Sequence, residues 1–204
     1  MSSTSTVFLV DDDPAVLKAF TLALRKRGYL VAGYLSAEDF LAGYSGEPGC
    51  LILDLRLSGM NGLDLQKALK EKKVDIPIIF ISGHGDIPSS VKAIKAGAID
   101  FLEKPVRREL LMTRIDEALA EDARNRDTDA RHREIRARFE KLTAREREVL
   151  GLLVAESADT SSKNIANLLG ISPRTIESHR ARIIEKMQAR SMSDLVSMAR
   201  ICGL

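Results

Sequence analysis

The stretch Val7-Phe8-Leu9-Val10-Asp11-Asp12-Asp13-Pro14 runs four apolar residues directly into three consecutive carboxylates. The apolar residues are typical of a buried β-strand, and Asp13 followed by Pro14 is a typical start of a helix. The charges of Asp11 and Asp12 would repel each other at the end of such a strand unless a cation compensates them. The stretch therefore predicts a buried strand that leads into a polar functional site.

Short apolar runs alternate with segments of helical period as far as about residue 120. The runs predict five strands, at residues 7–10, 30–35, 50–53, 78–82 and 99–102. The segments between and after them predict helices at residues 14–27, 37–44, 63–70, 88–96 and 108–120. Because parallel strands need crossover helices, the alternation predicts an α/β fold, a doubly wound five-stranded parallel sheet with helices on both faces.

Polar residues follow four of the predicted strands at their carboxyl ends, where sheets of this kind bind ligands. They are Asp11, Asp12, Asp54, Ser82 and Lys104. Crowded carboxylates need a cation, and oxygen ligands with room for water suit Mg²⁺. A metal, the Lys104 ammonium and the Ser82 hydroxyl could hold the oxygens of a phosphoryl group, with Asp54 as its acceptor.

Four motifs, in this order, resemble the receiver domain of two-component response regulators: Val10-Asp11-Asp12, Leu53-Asp54, Ile81-Ser82-Gly83 and Glu103-Lys104-Pro105. The resemblance covers residues 5–121 and implies a CheY-like, flavodoxin-like fold. It also implies that Asp54 accepts a phosphoryl group from a sensor histidine kinase.

The same resemblance assigns roles to the residues around Asp54. It implies a Mg²⁺ ion held by Asp54, by Asp12 directly, by Asp11 through water and by the backbone carbonyl of Arg56. It implies further that three residues respond to the phosphoryl group: the switch hydroxyl of Ser82, the switch aromatic Phe101, and Lys104, with a cis peptide bond to Pro105.

Two sites depart from the usual receiver pattern. Leu57-Ser58-Gly59 stands where a Met-Pro-Gly turn commonly follows the acceptor, and Val106 stands where Phe often follows Lys-Pro. The first change leads us to expect a looser acceptor loop. Neither change touches the predicted chemistry.

Other chemistries of α/β proteins fit these residues less well. A flavodoxin-like cofactor site would need a loop rich in Ser, Thr and Gly after the first strand, where the carboxylates of residues 11–13 would repel phosphate. The sequence contains no Gly-x-x-x-x-Gly-Lys-Ser/Thr motif for a nucleotide. Haloacid-dehalogenase-like phosphotransferases have a second Asp two residues after the nucleophile, where this chain has Arg56.

The sequence predicts a receiver domain at residues 1–121, a linker at 122–141 and a second domain at 142–204. The linker is dense in Arg, Glu and Asp, so we expect a largely exposed helix, with Ile135 and Phe139 at helical spacing. The second domain carries 9 basic against 7 acidic residues, which permits a nucleic-acid partner without demonstrating one.

The second domain predicts four short helices, at residues 143–155, 161–169, 173–188 and 192–201. Thr143 and Glu146 predict a capping box for the first, and Ser172-Pro173 predicts the start of the third. A helix, a tight turn and a second helix form the arrangement that places the second helix in a DNA major groove. The helical period of that second helix puts on one face Ile176, Ile183, Ile184 and Met187, and on the other Arg174, Glu177, Ser178, Ala181, Arg182 and Glu185.

Residues 142–150, 165–172 and 175–179 resemble the LuxR-type helix-turn-helix domain, a small all-α domain. A receiver joined to such a domain is the architecture of the NarL/FixJ family of transcriptional regulators. Residues 172–177 and Gly83-His84-Gly85-Asp86 resemble its FixJ branch most. The resemblance implies bases read by Glu177, Ser178 and Ala181, within a DNA-contacting set of Lys163, Arg174, Thr175, Glu177, Ser178, His179, Ala181, Arg182 and Lys186.

The resemblance also implies how such a protein works. Phosphorylation of Asp54 would promote a homodimer through helix 88–96 and the last strand, and the dimer would bind paired half-sites in double-stranded DNA. Release of an inhibitory contact between the domains is an alternative. A rival is an interaction protein whose receiver relays phosphate or docks a partner, with a vestigial second domain. RNA polymerase is a further candidate partner.

Several remaining features agree with a cytoplasmic regulator rather than an enzyme. Beyond slow hydrolysis of its own phosphoaspartate, no catalytic activity is expected.

Cys50 and Cys202 match no metal-ligand spacing and are expected to be reduced thiols. The chain begins with no basic leader and contains no apolar run of membrane-spanning length, so neither export nor a membrane span is expected. The loop at residues 154–163 is longer than is usual in LuxR-type domains.

Overall fold

The computed structural model describes residues 5–83, 87–155 and 160–204 of the 204-residue chain. The chain forms two compact units, Met1–Arg126 and Asp127–Leu204. The motif at residues 83–86 and the long loop at residues 154–163 fall partly outside the described ranges. Within those ranges, no helix combines the length and the apolar character needed to cross a membrane.

The first unit contains a five-stranded parallel sheet in the strand order β2-β1-β3-β4-β5. Its strands are β1 (Thr6–Val10), β2 (Leu30–Tyr34), β3 (Gly49–Asp54), β4 (Ile78–Ser82) and β5 (Asp100–Glu103). Its helices are α1 (Pro14–Arg25), α2 (Ala37–Gly43), α3 (Gly62–Glu71), α4 (Ile87–Lys95) and the start of α5 (Arg108–Glu140). The predicted fold class is confirmed.

Side-chain caps fix the starts of three of these helices. Asp13 accepts hydrogen bonds from the backbone N–H groups of Ala15 and Val16, with Pro14 at the first helical position. Ser36 caps α2 in the same way, and Asn61 caps α3. These side chains satisfy backbone donors that have no partner inside a helix.

Apolar side chains cover both faces of the sheet. Successive residues of β1 and β3 point to opposite faces, so one core contains Phe8, Val10, Leu51, Leu53, Phe40 and Phe80. The other core contains Val7, Leu9, Cys50, Ile52, Leu24 and Ile115. Burial on both faces explains why these strands read as continuous apolar runs rather than as alternating ones.

Helix α5 continues beyond its predicted end at residue 120, and its middle turns are anchored to the first unit. Asp122 is 1% exposed and accepts a hydrogen bond of 2.9 Å from the backbone N–H of Gly49, at the start of β3. Arg126 lies 2.8 Å from that carboxylate and donates to the backbone carbonyls of Gly46 and Glu47, both at 2.9 Å. Most of the connector is exposed, as expected, and Asp122 is a buried exception.

The described residues of the second unit form the rest of α5 and the helices α6 (Ala144–Val154), α7 (Ser162–Leu169), α8 (Pro173–Met187) and α9 (Met192–Ile201). Thr143 and Glu146 form the predicted capping box of α6. The core of the unit contains Leu150, Ile165, Ile176, Ile183 and Leu195. Ile135 of α5 is 3% exposed in the same core, so this part of the connector also contributes to packing.

Replacing Asp122 with Ala should lower the free energy of unfolding of the first unit by about 3 kcal/mol. The substitution leaves the guanidinium of Arg126 without its carboxylate and the N–H of Gly49 without an acceptor. Urea unfolding of the full chain, followed by circular dichroism, measures the change.

The matched control is Glu121→Ala, because Glu121 is the exposed neighbour on the same helix. It should change the free energy of unfolding by less than about 0.5 kcal/mol. Equal losses in the two variants would show that helical propensity, and not the buried carboxylate, accounts for the effect.

Candidate functional site

The carboxyl edge of the sheet brings together Asp11, Asp54 and Lys104. Asp11 follows β1, Asp54 ends β3 and Lys104 follows β5. The Nζ atom of Lys104 lies 2.8 Å from Oδ2 of Asp11 and 2.5 Å from Oδ2 of Asp54. Burial alone would lower the pKa of Lys104, but its hydrogen bonds to Asp11 and Asp54 outweigh this and raise it. The lysine is therefore held in its charged form between two carboxylates.

Asp12 has a different partner. Its Oδ2 atom accepts two hydrogen bonds from Ser58, one of 3.0 Å from the backbone N–H and one of 2.7 Å from the hydroxyl. The hydroxyl bond is the main cause of a pKa of Asp12 below its ordinary value. The structure thus places Asp12 at the same edge but ties it to the loop after β3.

The donors at this edge fit the chemistry of Mg²⁺. The carboxylates of Asp11, Asp12 and Asp54 and the carbonyl of Arg56 offer oxygen only, which is the ligand that this ion prefers. Within residues 5–83, 87–155 and 160–204, however, no three or more His, Cys, Asp or Glu side chains are arranged to hold a metal ion. Lys104 and Ser58 bind oxygens of these carboxylates that a metal could use.

The acceptor loop is tied at several points. The N–H of Arg56 donates to Oδ1 of Asp54 at 3.0 Å, and the N–H of Met60 donates to Glu38 at 3.0 Å. Gly62 must be glycine, because a Cβ atom there would lie 2.5 Å from the backbone oxygen of Asp54. Ser58 is bound to Asp12, so hydrogen bonds hold the loop at three points.

The two remaining receiver residues lie next to Lys104 in the fold. Ser82 ends β4, is completely buried and accepts a 2.8 Å hydrogen bond at its backbone oxygen from the N–H of Lys104. Phe101 is partly buried, and its ring stacks on that of Phe80 at a centroid distance of 6.1 Å. The Lys104–Pro105 peptide bond is cis, as predicted. The switch roles of Ser82 and Phe101 stay predictions.

Helix α8 presents a polar face to solvent. The exposed residues include all those predicted for that face: Arg174, Glu177, Ser178, Ala181, Arg182 and Glu185, and also Thr175. On the opposite side Ile176, Ile183 and Met187 are fully buried. Ile184 was expected to join them but is 39% exposed, because it lies at the edge of a narrower apolar stripe.

Contacts with α7 hold one of the predicted base-reading residues. Glu177 accepts a hydrogen bond from the hydroxyl of Ser162, in the first turn of α7. Arg180 donates to the same hydroxyl at 3.0 Å. Lys163, the next residue of α7, is exposed. His179 is half-buried, and its Nδ1 atom is buried with no hydrogen-bond partner among the described residues.

Lys186 lies against a buried carboxylate, which the sequence did not reveal. Glu146 is 2% exposed, and its Oε2 atom accepts hydrogen bonds from Lys186 at 2.6 Å and from the N–H of Thr143 at 2.8 Å. Burial raises the pKa of Glu146, but these hydrogen bonds outweigh it and lower the pKa to about 2. A pair separated by 40 residues leaves no local sequence pattern, so only the capping role of Glu146 could be predicted.

Comparison with known families agrees with both units. The response regulator receiver domain family matches residues 7–116, and the luxR family of bacterial regulatory proteins matches residues 140–199. The response regulator protein TodT of Pseudomonas putida F1 is 44% identical over 193 residues, which are 94% of this chain and 84% of TodT. The transcriptional regulatory protein FixJ of Rhizobium meliloti is 43% identical over 200 residues, which are 97% of this chain and 96% of FixJ.

Solved structures support the same conclusion. The response regulator StyR matches with a TM-score of 0.83 and 38% identity, covering 97% of this chain and 98% of StyR. Full-length FixJ from B. japonicum matches with a TM-score of 0.57 and 36% identity, covering 99% and 98%. Fold and site together define a response regulator that acts on transcription. With its LuxR-type DNA-binding domain, the chain belongs to the NarL/FixJ family.

Replacing Lys186 with Met should lower the free energy of unfolding of the second unit by about 3 kcal/mol at neutral pH, since Glu146 would stay buried without its counter-charge. The folded-state pKa of Glu146 is depressed, so the stability it contributes is present above pH 4.5 and is lost as the pH falls towards about 2. The difference between variant and wild type should therefore shrink over this window. Urea unfolding at several pH values measures it.

Lys163→Met is the matched control, because Lys163 is exposed in the same unit. Its effect on unfolding should be below about 0.5 kcal/mol and should not change with pH in this range. A Lys186→Met variant as stable as the control at neutral pH would contradict the structural role of the pair.

Proposed function

We propose that the chain is a phosphorylation-switched regulator of transcription that accepts a phosphoryl group on Asp54 from a sensor histidine kinase. The observation that carries the proposal is the Lys104 ammonium, 2.5 Å from Asp54 and 2.8 Å from Asp11, at the carboxyl edge of a receiver sheet. A carboxylate beside a fixed cation is a suitable acceptor for a group that brings negative charge with it.

The transfer itself exchanges one bond for another. A carboxylate oxygen of Asp54 forms the new O–P bond while the N–P bond of the kinase phosphohistidine breaks, and the imidazole nitrogen keeps the electron pair. Bound Mg²⁺ would neutralise charge on the phosphoryl oxygens, with Asp11, Asp12, Asp54 and the carbonyl of Arg56 as its ligands. Lys104 already lies beside the acceptor, so a small movement of its ammonium would bring it to a phosphoryl oxygen.

The response to the new charge is proposed to begin at Ser82. Its side chain is buried at the end of the strand next to β3, and its hydroxyl would donate to a phosphoryl oxygen on Asp54. Phe101, half-buried on the adjacent strand, would then adjust its packing. This is the kind of local change in charge and packing by which phosphorylation shifts a two-state equilibrium.

Helix α4 supports dimerisation as the outcome of the switch. Ile87, Val91 and Ile94 recur at helical spacing on its surface and are 77%, 43% and 44% exposed. A stripe of exposed large apolar residues is typical of an interaction surface. A homodimer formed through α4 and β5 would bring two DNA-binding domains to paired half-sites.

The DNA interface is proposed to be the exposed face of α8. Glu177, Ser178 and Ala181 would face base edges, with Thr175 beside them, while Lys163, Arg174 and Arg182 would contact phosphates. Half-buried His179 fits a packing role with at most a phosphate contact. Because the Lys186 ammonium is occupied by Glu146, we expect it to contribute less to DNA binding than Arg182.

The remaining assignments follow from this function. A regulator that meets a kinase and DNA would act in the cytoplasm, and RNA polymerase is a further candidate partner at promoters. The acceptor carboxylate would also allow slow hydrolysis of the phosphoaspartate, without making the protein an enzyme. The receiver is proposed to span residues 1–121, the linker 122–141 and the DNA-binding domain 142–204.

Phosphorylation should control DNA binding through Asp54. Sheared host DNA is incubated with the full chain and Mg²⁺, with and without a small-molecule phosphodonor, and the bound fragments are sequenced. Wild type with the phosphodonor should enrich sites of two-fold symmetry, and Asp54→Asn should not, because an amide cannot accept the phosphoryl group.

Asp129→Asn provides the matched control, since Asp129 is an exposed aspartate outside the receiver edge. It should behave like wild type. A lack of enrichment in every condition would contradict the proposal and favour a receiver that only relays phosphate. Equal enrichment by wild type and Asp54→Asn would contradict control by this residue.

Arg182→Ala should weaken DNA binding about equally for specific and unrelated sequences and reduce the slope of log K against log salt by about 1. The reason is that a phosphate contact positions the protein without reading bases. Fluorescence anisotropy with labelled duplexes at several salt concentrations measures both quantities. Arg133→Ala, at an exposed arginine of α5, should leave the slope unchanged.

A further inference from the structure

We propose that Ser58 is a positioning residue that holds Asp12 away from the metal site and so weakens Mg²⁺ binding by the unphosphorylated protein. The inference rests on the proposed function, which makes Asp12 a metal ligand. It deepens that function, because it names a residue outside the ligand set that controls when the site can form.

The contacts of Ser58 with Asp12 are concentrated on one atom. Both the N–H and the hydroxyl of Ser58 donate to Oδ2 of Asp12, at 3.0 Å and 2.7 Å. A carboxylate oxygen has about two lone pairs to offer. Oδ2 is therefore fully used, and a metal can take this oxygen only after at least one of the bonds breaks.

The contacts of the other two carboxylates show why metal binding depends most on Asp12. Asp11 and Asp54 share the Lys104 ammonium, and each accepts a backbone hydrogen bond at its second oxygen, from Asp13 and Arg56 respectively. Among the described residues, Asp12 has no ion pair and is the exposed member of the three. A cation arriving from solvent thus meets Asp12 first, and it can use Oδ2 of Asp12 only by displacing Ser58.

The loop keeps Ser58 in place. Two residues before it, the N–H of Arg56 is bound to Asp54, and two residues after it, the N–H of Met60 is bound to Glu38. Gly59 adopts a φ of 86°, a conformation that suits glycine and turns the chain between Ser58 and Met60. The backbone of Ser58 is therefore presented to Asp12 by a loop fixed on both sides, and the bond from its N–H does not depend on a side-chain rotamer.

The residue type at this position also matters. A proline, common here in receivers, would offer neither an N–H nor a hydroxyl and could not make either bond. The departure from Met-Pro-Gly in this chain therefore does more than change the turn, because it adds two donors beside a ligand carboxylate. Hydrogen bonds to a charged group are the stronger kind, so their loss on metal binding has a measurable cost.

The test is metal affinity measured directly on the full chain. Mn²⁺ is titrated into the unphosphorylated protein, the free ion is followed by electron paramagnetic resonance, and Mg²⁺ is then added as a competitor. Ser58→Ala, which removes the stronger of the two bonds, should tighten binding of both ions by about tenfold. Ser58→Thr keeps the hydroxyl and should restore the wild-type affinity, and Ser45→Ala, at an exposed loop serine, should have no effect.

Asp12→Asn separates the two ways in which the experiment could fail. If wild type and Asp12→Asn bind the metal equally, the metal site of the proposed function is wrong, and the role of Ser58 falls with it. If binding depends on Asp12 but Ser58→Ala binds no tighter, or binds more weakly, the proposed function stands and the role of Ser58 is overturned. Weaker binding by Ser58→Ala would mean that Ser58 orients Asp12 towards the metal.

Discussion

The arrangement of the site depends on the repulsion between two neighbouring carboxylates at the edge of the sheet. An ammonium group relieves that repulsion. Val10 of β1 pairs with Leu53 of β3, so the next residues, Asp11 and Asp54, stand side by side. Alternate side chains of these strands pack into two different cores, and this packing holds the register of the strands. The core therefore imposes the charge cluster, and Lys104 from β5 neutralises it.

The second unit also contains a buried carboxylate whose charge is compensated by a lysine. Glu146 is buried because it caps α6, and its charge is compensated by Lys186 from α8. In the first unit the compensated carboxylates lie at a ligand edge, where an incoming group can compete for the lysine. In the second unit the carboxylate lies inside the packing, and its bond to Lys186 withdraws that lysine from the exposed charge of α8. Arg174 and Arg182 are left as exposed cations of that face.

The sequence predicted the features that depend on residue spacing or on the order of strands and helices along the chain. Strands, helices, caps and the polar residues at strand ends follow from periodicity and from parallel topology. The contacts of Asp122 with Gly49 and of Glu146 with Lys186 join residues far apart in the chain, so neither has a local signal. The sequence predicted one helix at residues 108–120 and another in the linker, which the structure joins as α5. Residues 108–140 contain neither Gly nor Pro, and nothing in them marks an end at residue 120.

A ligand set read from sequence says which atoms can bind a metal, but the affinity depends on what those atoms hold beforehand. Asp11 and Asp54 hold a lysine, and Asp12 holds a serine. A metal that enters must share or replace these contacts, so the free energy of binding is a difference between two well-satisfied states. Two receivers with identical ligands can therefore differ in metal affinity through one loop residue, and in this chain Ser58 is such a residue.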